Sequence, residues 1–281
     1  MANFILSGFA DEAAADLTTQ LKVLKSNNIN YIEMRFIDGK SILDHTIQEV
    51  KEIKKQLDDS GIKLSAIGSY LGKEKITEPF THAEKLKFTT EIAGVLDVKN
   101  VRMFSFFLPK NQDPSNFKEE VFKRMNSFLS IVKETDIKLL HENEHEIFGD
   151  SAERCLELFQ EFHGPNFGLI FDTGNFVYCG FEAFPTSWNL LKNHVDYFHI
   201  KDVKKNTHEM RVPGEGDAKI PEILSELKTR DGDFFLSLEP HLGNFAGFSS
   251  LTNDLDELPA SDNIKSFVNA KKSLDAILST L

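Results

Sequence analysis

Short apolar runs alternate with amphipathic stretches through nearly the whole chain. Apolar runs bounded by turn residues read as buried strands, and apolar positions three and four apart read as one face of a helix. Phe4 to Gly8 is the first predicted strand. Ala10-Asp11-Glu12 offers the start of a helix whose stripe carries Leu17, Leu21, Val23 and Leu24. Tyr31 to Arg35 is the second strand, with Glu33 and Arg35 on one face, and Thr46 to Asp59 is the second helix, stopped by Ser60-Gly61. Lys63 to Ser69, His82 to Leu96, Asn100 to Phe106 and Asn116 to Glu134 continue the strand–helix alternation. The fifth strand ends at Glu142 and is followed by a helix over Ser151 to Phe162, with Asp150 or Ser151 as its cap. The sixth ends at Asp172, with a shorter helix around Phe184 to Lys192. The seventh ends near His199, with a helix over Ile220 to Thr229, and the eighth ends at Glu239, with a last helix over Asp262 to Ser279.

Eight strands, each followed by a helix, predict an α/β fold of the (β/α)8 TIM barrel type, one domain spanning residues 1–281. A doubly wound open sheet is the alternative. It usually has fewer strands, and no Gly-x-Gly-x-x-Gly follows the first strand here. The acidic, aperiodic segment Ser249 to Asn263 reads as a surface loop, with a lid over the barrel as the other reading.

Four consecutive strands end in residues that bind metals. Leu139-Leu140-His141-Glu142, Leu169-Ile170-Phe171-Asp172 and Leu236-Ser237-Leu238-Glu239 each close on a carboxylate, and Tyr197-Phe198-His199 closes on an imidazole. One carboxylate at a strand end is commonly a helix cap or an ion-pair partner. Three of them converging at the C-terminal mouth of a barrel repel one another strongly unless a divalent cation lies between them. Glu142, Asp172, His199 and Glu239 would supply three oxygens and one nitrogen, suited to one Mn²⁺, Mg²⁺, Co²⁺ or Zn²⁺. Lys201 lies two residues beyond His199, so strand alternation points both side chains the same way.

Composition narrows the partners. A formal net charge of −12 argues against nucleic acid, which needs a basic surface. Cys155 and Cys179 form neither a disulfide framework nor a close metal-binding pair, which fits a reduced, cytoplasmic setting. Met1 to Leu6 lacks a basic leader region and reads as part of the first strand, and no apolar run approaches the ~18 residues of a membrane span.

Taken in order, His141-Glu142-Asn143-Glu144, Phe171-Asp172-Thr173-Gly174-Asn175-Phe176, His199-Ile200-Lys201-Asp202, Gly214-Glu215-Gly216-Asp217 and Leu238-Glu239-Pro240-His241 resemble the xylose isomerase-like TIM barrels. Within that superfamily the chain looks most like the sugar phosphate isomerase/epimerase group, and Phe9-Ala10-Asp11-Glu12 and Glu33-Met34-Arg35 extend the similarity over nearly the whole chain. The resemblance implies that Glu142, Asp172, His199 and Glu239 are the metal ligands. It implies a metal-dependent isomerase or epimerase of a keto sugar or related polyol, in which Glu142 and Glu239 exchange a carbon-bound proton through a metal-stabilised enediolate. Relatives are often dimers or tetramers, so a homo-oligomer is compatible. Several characterised epimerases and dehydratases of the superfamily have a histidine three residues after the aspartate. This chain has Asn175, whose amide can bond a hydroxyl but cannot shuttle a proton.

Lys201 and Arg211 are candidate cations for a developing oxyanion, and Asn175, Glu144, His241 and Ser69 are candidate substrate contacts. Glu33 and Arg35 suggest an ion pair within the barrel or a substrate contact, and Phe9, Phe106 and Phe107 suggest an apolar pocket wall. The same chemistry, continued by loss of a β-hydroxyl, gives a sugar or inosose-type dehydratase. A non-catalytic sugar-binding barrel and an apurinic endonuclease-like protein are the remaining alternatives, the last needing further zinc ligands and a basic groove.

Overall fold

Eight apolar runs lie side by side in parallel: β1 (Asn3–Gly8), β2 (Tyr31–Met34), β3 (Lys63–Ile67), β4 (Asn100–Met103), β5 (Lys138–Glu142), β6 (Phe167–Asp172), β7 (Val195–Ile200) and β8 (Asp233–Leu238). The computed structural model describes residues 1–243 and 263–281. Its strand order is β1-β8-β7-β6-β5-β4-β3-β2. β1 and β2, at the two ends of that order, pack against each other, so the sheet curls into a nearly closed (β/α)8 barrel.

Outside the sheet lie α1 (Leu17–Ser26), α2 (Ile47–Ser60), α3 (His82–Leu96), α4 (Lys118–Val132), α5 (Ala152–Phe162), α6 (Thr173–Tyr178), α7 (Trp188–Leu191), α8 (Ile220–Lys228) and α9 (Asn263–Leu278). Local chemistry fixes their ends. Thr46 and Glu49 form a reciprocal capping box at the start of α2, and Gly61 ends that helix at φ 75°. Ser151 caps α5 by accepting from the Arg154 N–H.

Strand periodicity positions the site. Inside the barrel, Ala66, Leu140, Ile170 and Tyr197 form an apolar layer with Phe235 packed against it. Leu140, Ile170 and Tyr197 each precede Glu142, Asp172 and His199 by two residues on the same strand, so the polar side chains share the inward face one layer nearer the mouth. Register then sets the neighbours: Asp172 pairs with His199, and Leu238 with Ile200, which brings Glu239 level with the strand ends.

Several boundaries differ from the sequence expectation. Asp11 and Glu12 form a single turn of 3₁₀ helix and are buried, whereas α1 starts later, capped by Asp16. The fourth strand stops at Met103 rather than Phe106, because the chain turns out of the sheet and Phe106 takes φ 69°. A short helix, α6, follows β6 directly because Asp172 caps it. The helix expected around Phe184 to Lys192 is only α7 after a turn over Ala183–Ser187. Apart from Asn263, the acidic segment Ser249 to Asn263 lies outside the described residues.

Candidate metal centre

The strand ends of β5, β6, β7 and β8 bring Glu142, Asp172, His199 and Glu239 together, with one ligand atom from each lying within 4.8 Å of the others. All four are at most 2% exposed. From His199 Nδ1 the distances are 2.9 Å to Glu142 Oε1, 3.5 Å to Glu239 Oε2 and 3.8 Å to Asp172 Oδ2. The other ring nitrogen, Nε2, faces Glu33 at 3.1 Å, the partner that fixes ring orientation when Nδ1 faces a metal.

Each carboxylate divides its two oxygens. Glu142 Oε2 accepts from Arg102 Nη1 at 3.0 Å, leaving Oε1 to the centre. Glu239 Oε1 accepts from Arg35 Nη1 at 2.8 Å and lies 3.2 Å from His241 Nε2, leaving Oε2 inward. Asp172 Oδ1 accepts the Asn175 N–H at 2.8 Å as the cap of α6, leaving Oδ2 inward. Among the described residues Asp172 Oδ2 and Glu239 Oε2 are buried without a hydrogen-bond partner, and Lys201 Nζ stands 3.0 Å from each in ion-pair contact.

Electrostatics follows from this crowding. Burial would raise the Glu142 carboxyl, but His199 and Arg102 hold it down to about 2. Burial opposes ionisation of Glu239 as well, yet Lys201 and His241 hold it well below the usual carboxylate range. Asp172 goes the other way: burial, with the charges of Glu142 and Glu239, pushes it up to about 8 despite Lys201. The pairing of His199 with Glu33 and Glu142 raises its pKa in spite of burial.

The donor set fits a divalent cation. Three inward oxygens and one imidazole nitrogen converge, two of the oxygens lack a hydrogen bond among the described residues, and the histidine's far nitrogen is held by a carboxylate. Glu12, Glu239 and His241 also approach one another. There the Arg35 guanidinium already supplies the cation, with Nη2 3.4 Å from Glu12 Oε1 and Nη1 2.8 Å from Glu239 Oε1.

The remaining candidates separate clearly. Lys201 reaches the centre, as strand alternation requires. Asn175 Nδ2 donates to Glu142 Oε1 at 3.3 Å and to the Asn143 carbonyl at 2.9 Å, and its Oδ1 accepts from Lys201 Nζ at 3.3 Å, so the amide links two members of the cluster. Glu144 lies one step out, paired with Lys73 at 3.1 Å and His145 at 2.7 Å. Ser69 donates to the Arg102 carbonyl and accepts from the Leu71 N–H, so its hydroxyl braces the backbone. Arg211 is not brought to the centre: it lies on the hairpin formed by Asp202–Val203 and Met210–Arg211 and pairs with Glu209 at 2.6 Å.

Glu33 and Arg35 do not pair as expected: Glu33 holds His199, and Arg35 binds Asp11, Glu12 and Glu239. Of the three phenylalanines, Phe9 is fully buried under two guanidiniums, with Arg35 Cζ 4.4 Å and Arg102 Cζ 5.0 Å from its ring centroid, and Phe106 packs against Phe80 and Phe128. Phe107 does line cavities. Arg102 was the main residue missed. An arginine in the middle of an apolar strand, Asn100–Met103, is itself a sign of a buried counter-ion.

Comparison with known proteins places this geometry in context. The sequence matches the family described as xylose isomerase-like TIM barrel over residues 21–262. Among curated protein sequences, none matches. Among solved structures, D-allulose 3-epimerase from Methylomonas sp., in complex with D-allulose, superposes with a TM-score of 0.76 at 16% identity, over 98% of this chain and 96% of that one. The IolI protein with a zinc atom gives 0.71 at 17% identity, over 98% of both chains. The probable 3-DHS dehydratase AsbF from Bacillus anthracis gives 0.72 at 16%, over 98% of this chain and 99% of that one. At these identities the superpositions establish the barrel, and the sequence match running through most of it establishes kinship: the chain belongs to the xylose isomerase-like TIM barrel family.

Proposed function

We propose that the protein is a divalent-metal-dependent isomerase or epimerase of a keto sugar or related polyol, moving a proton at carbon with Glu142 and Glu239. The observation that carries this reading is the paired arrangement of the two glutamates. Each has one oxygen held by an arginine and turns the other into the same cluster, Glu142 through Oε1 and Glu239 through Oε2.

Glu142, Asp172, His199 and Glu239 would hold the cation, which would supply Lewis acidity at the substrate's oxygens. Mn²⁺, Mg²⁺, Co²⁺ and Zn²⁺ all suit such a donor set. Both glutamates are held ionised, the form in which a carboxylate can take up a proton. In epimerisation one takes the carbon-bound proton and the other, once protonated, returns one. The Lys201 ammonium stands where it can stabilise the negative charge left on the substrate. Asn175, with both amide hydrogens donated to Glu142 and Asn143, positions Glu142 and does not relay a proton. The sugar epimerases and the dehydratase among the structural neighbours support this class of chemistry.

The test begins with metal content, by elemental mass spectrometry, of the native protein and of Glu239→Gln and His199→Ala variants. About one divalent ion per chain, lost or weakened in both variants, is expected. The metal-loaded protein should then exchange a carbon-bound proton of a keto sugar for solvent deuterium, read by NMR. No metal after reconstitution with Mn²⁺, Co²⁺ and Zn²⁺ would overturn the reading. An unsaturated product absorbing in the ultraviolet would assign a dehydratase instead.

A further inference from the structure

Two cavities share a wall, and the inner one reaches the arginines that hold two of the centre's glutamates. The inner one, about 310 Å³, is lined by Arg35 and Arg102, the residues that hold Glu239 and Glu142, together with Tyr70 and Gly68. The outer one, about 830 Å³, lies between the loops that follow β3 and β4. Lys73 and Phe107 line both, so the two spaces adjoin at that pair. Small-molecule sites typically occupy about 300–1,000 Å³, which puts the inner cavity at the low end and the outer one near the top.

The outer cavity is held in shape by the backbone. The Ile76 N–H donates to the Phe107 carbonyl and the Phe107 N–H to the Glu74 carbonyl, both at 2.9 Å. The Leu108 N–H then donates to the Glu146 carbonyl at 2.9 Å, stitching in the loop after β5. Three loops from three strands thus form one wall fixed before any ligand arrives, which lowers the ordering cost of binding.

Its chemistry selects against an anion. Each lysine lining it is paired with a glutamate: Lys73 with Glu144 at 3.1 Å, Lys75 with Glu78 at 3.0 Å and Lys110 with Glu146 at 2.9 Å. An entering phosphate or carboxylate would meet the paired glutamate's charge beside each lysine, whereas uncharged hydroxyls can bond to both members of a pair. Phe107, Leu108 and Pro109 add an apolar wall suited to the C–H face of a sugar ring.

We propose that the outer cavity is a subsite for a second, uncharged ring of a glycosylated keto sugar whose ketose unit occupies the inner cavity beside the metal centre. The inference rests on the keto-sugar reading above and names a longer substrate for the same site. It is tested by calorimetric titration of the Mn²⁺-loaded protein with D-fructose and with two ketose disaccharides, isomaltulose and lactulose. At least one disaccharide should bind about tenfold or more tightly than fructose. Thr77→Trp, an exposed rim substitution that fills the outer cavity, should abolish the advantage and leave fructose binding unchanged. Fructose binding with no gain from the second ring, or a gain that survives Thr77→Trp, would overturn the subsite and leave the keto-sugar reading standing. Failure of all three sugars to bind the metal-loaded protein would overturn both.

Discussion

Arg35 Nη1 and Glu239 Oε1, from opposite ends of the chain, meet at 2.8 Å, and this contact decides which oxygen of Glu239 faces the candidate metal centre. The same guanidinium binds Asp11 Oδ2 through Nε at 2.8 Å and lies 3.4 Å from Glu12 Oε1. One buried cation therefore answers three buried carboxylates. Arg102 plays the matching part for Glu142, and Phe9 lies against both arginines.

Arg35→Met should therefore destabilise the protein well beyond the loss of one contact. Breaking a buried pair leaves an uncompensated charge, at about 3–5 kcal/mol. The urea midpoint should fall accordingly, and Mn²⁺ affinity should fall with it as Glu239 loses its anchor. An unchanged midpoint would show that the three carboxylates are held by something else.

Gly174 gives Lys201 its place. A Cβ at position 174 would come within 2.7 Å of Lys201 Cγ and 3.0 Å of the Lys201 carbonyl oxygen. Gly174→Ala should cost about 1–3 kcal/mol through overpacking and push the ammonium away from Asp172 and Glu239. With that cation displaced, metal no longer competes with it, so Mn²⁺ should bind more tightly to the variant while the metal-free protein melts lower. Equal metal affinity in both proteins would place Lys201 outside the ligands' electrostatics.

These dependencies mark what the sequence could convey. The barrel was legible because its strands are apolar runs separated by capped helices, and the four candidate metal ligands stand out because each ends such a run. Glu142, Asp172 and His199 also sit two residues beyond a layer-forming apolar side chain, a period visible in the sequence itself. The partners of those ligands were not legible. Glu33 and Arg35 suggested an ion pair or a substrate contact, but each reaches across the barrel, Glu33 on β2 to His199 and Arg35 just beyond it to Glu239. Such pairings depend on which strand ends face one another around a closed sheet, which spacing along one strand does not encode. Arg211 shows the converse: it was a candidate cation for a developing oxyanion, but it lies on the hairpin and pairs with Glu209.

A pH dependence away from the candidate metal centre follows from His82, at the start of α3. Its Nδ1 accepts the Gly72 N–H at 3.0 Å, so the ring is neutral there. Burial, aided by Lys85, lowers its pKa below the ordinary value, with Glu74 opposing. A histidine with a depressed folded pKa takes up its proton first in the unfolded chain, so the stability it contributes is full above about 6.5 and is lost as the pH falls toward the folded value. His82→Asn keeps an acceptor for Gly72 without a titrating ring. Urea midpoints measured from pH 8 to pH 5 should fall more steeply for the native protein than for the variant, and parallel profiles would remove His82 as a source of acid sensitivity.

Asp202 organises the turn beside Lys201, and it does so with both oxygens. Oδ2 accepts the N–H groups of Gly214 at 2.8 Å and Gly216 at 2.9 Å, and Oδ1 accepts those of Val203 and Ala218 at 3.0 Å each. The approach is so close that a Cβ on residue 216 would lie 2.0 Å from Oδ1, so the glycine is required by the carboxylate. Asp202→Asn replaces one acceptor oxygen with an amide that faces N–H donors, leaving buried groups unsatisfied at about 1–3 kcal/mol each. Gly216→Ala should produce the same defect from the other side. Because both variants disturb the Asp202 carboxylate, the double variant should lose less than the sum of the two single losses in a double-mutant cycle of urea midpoints. Fully additive losses would mean that Asp202 and Gly216 support the fold independently.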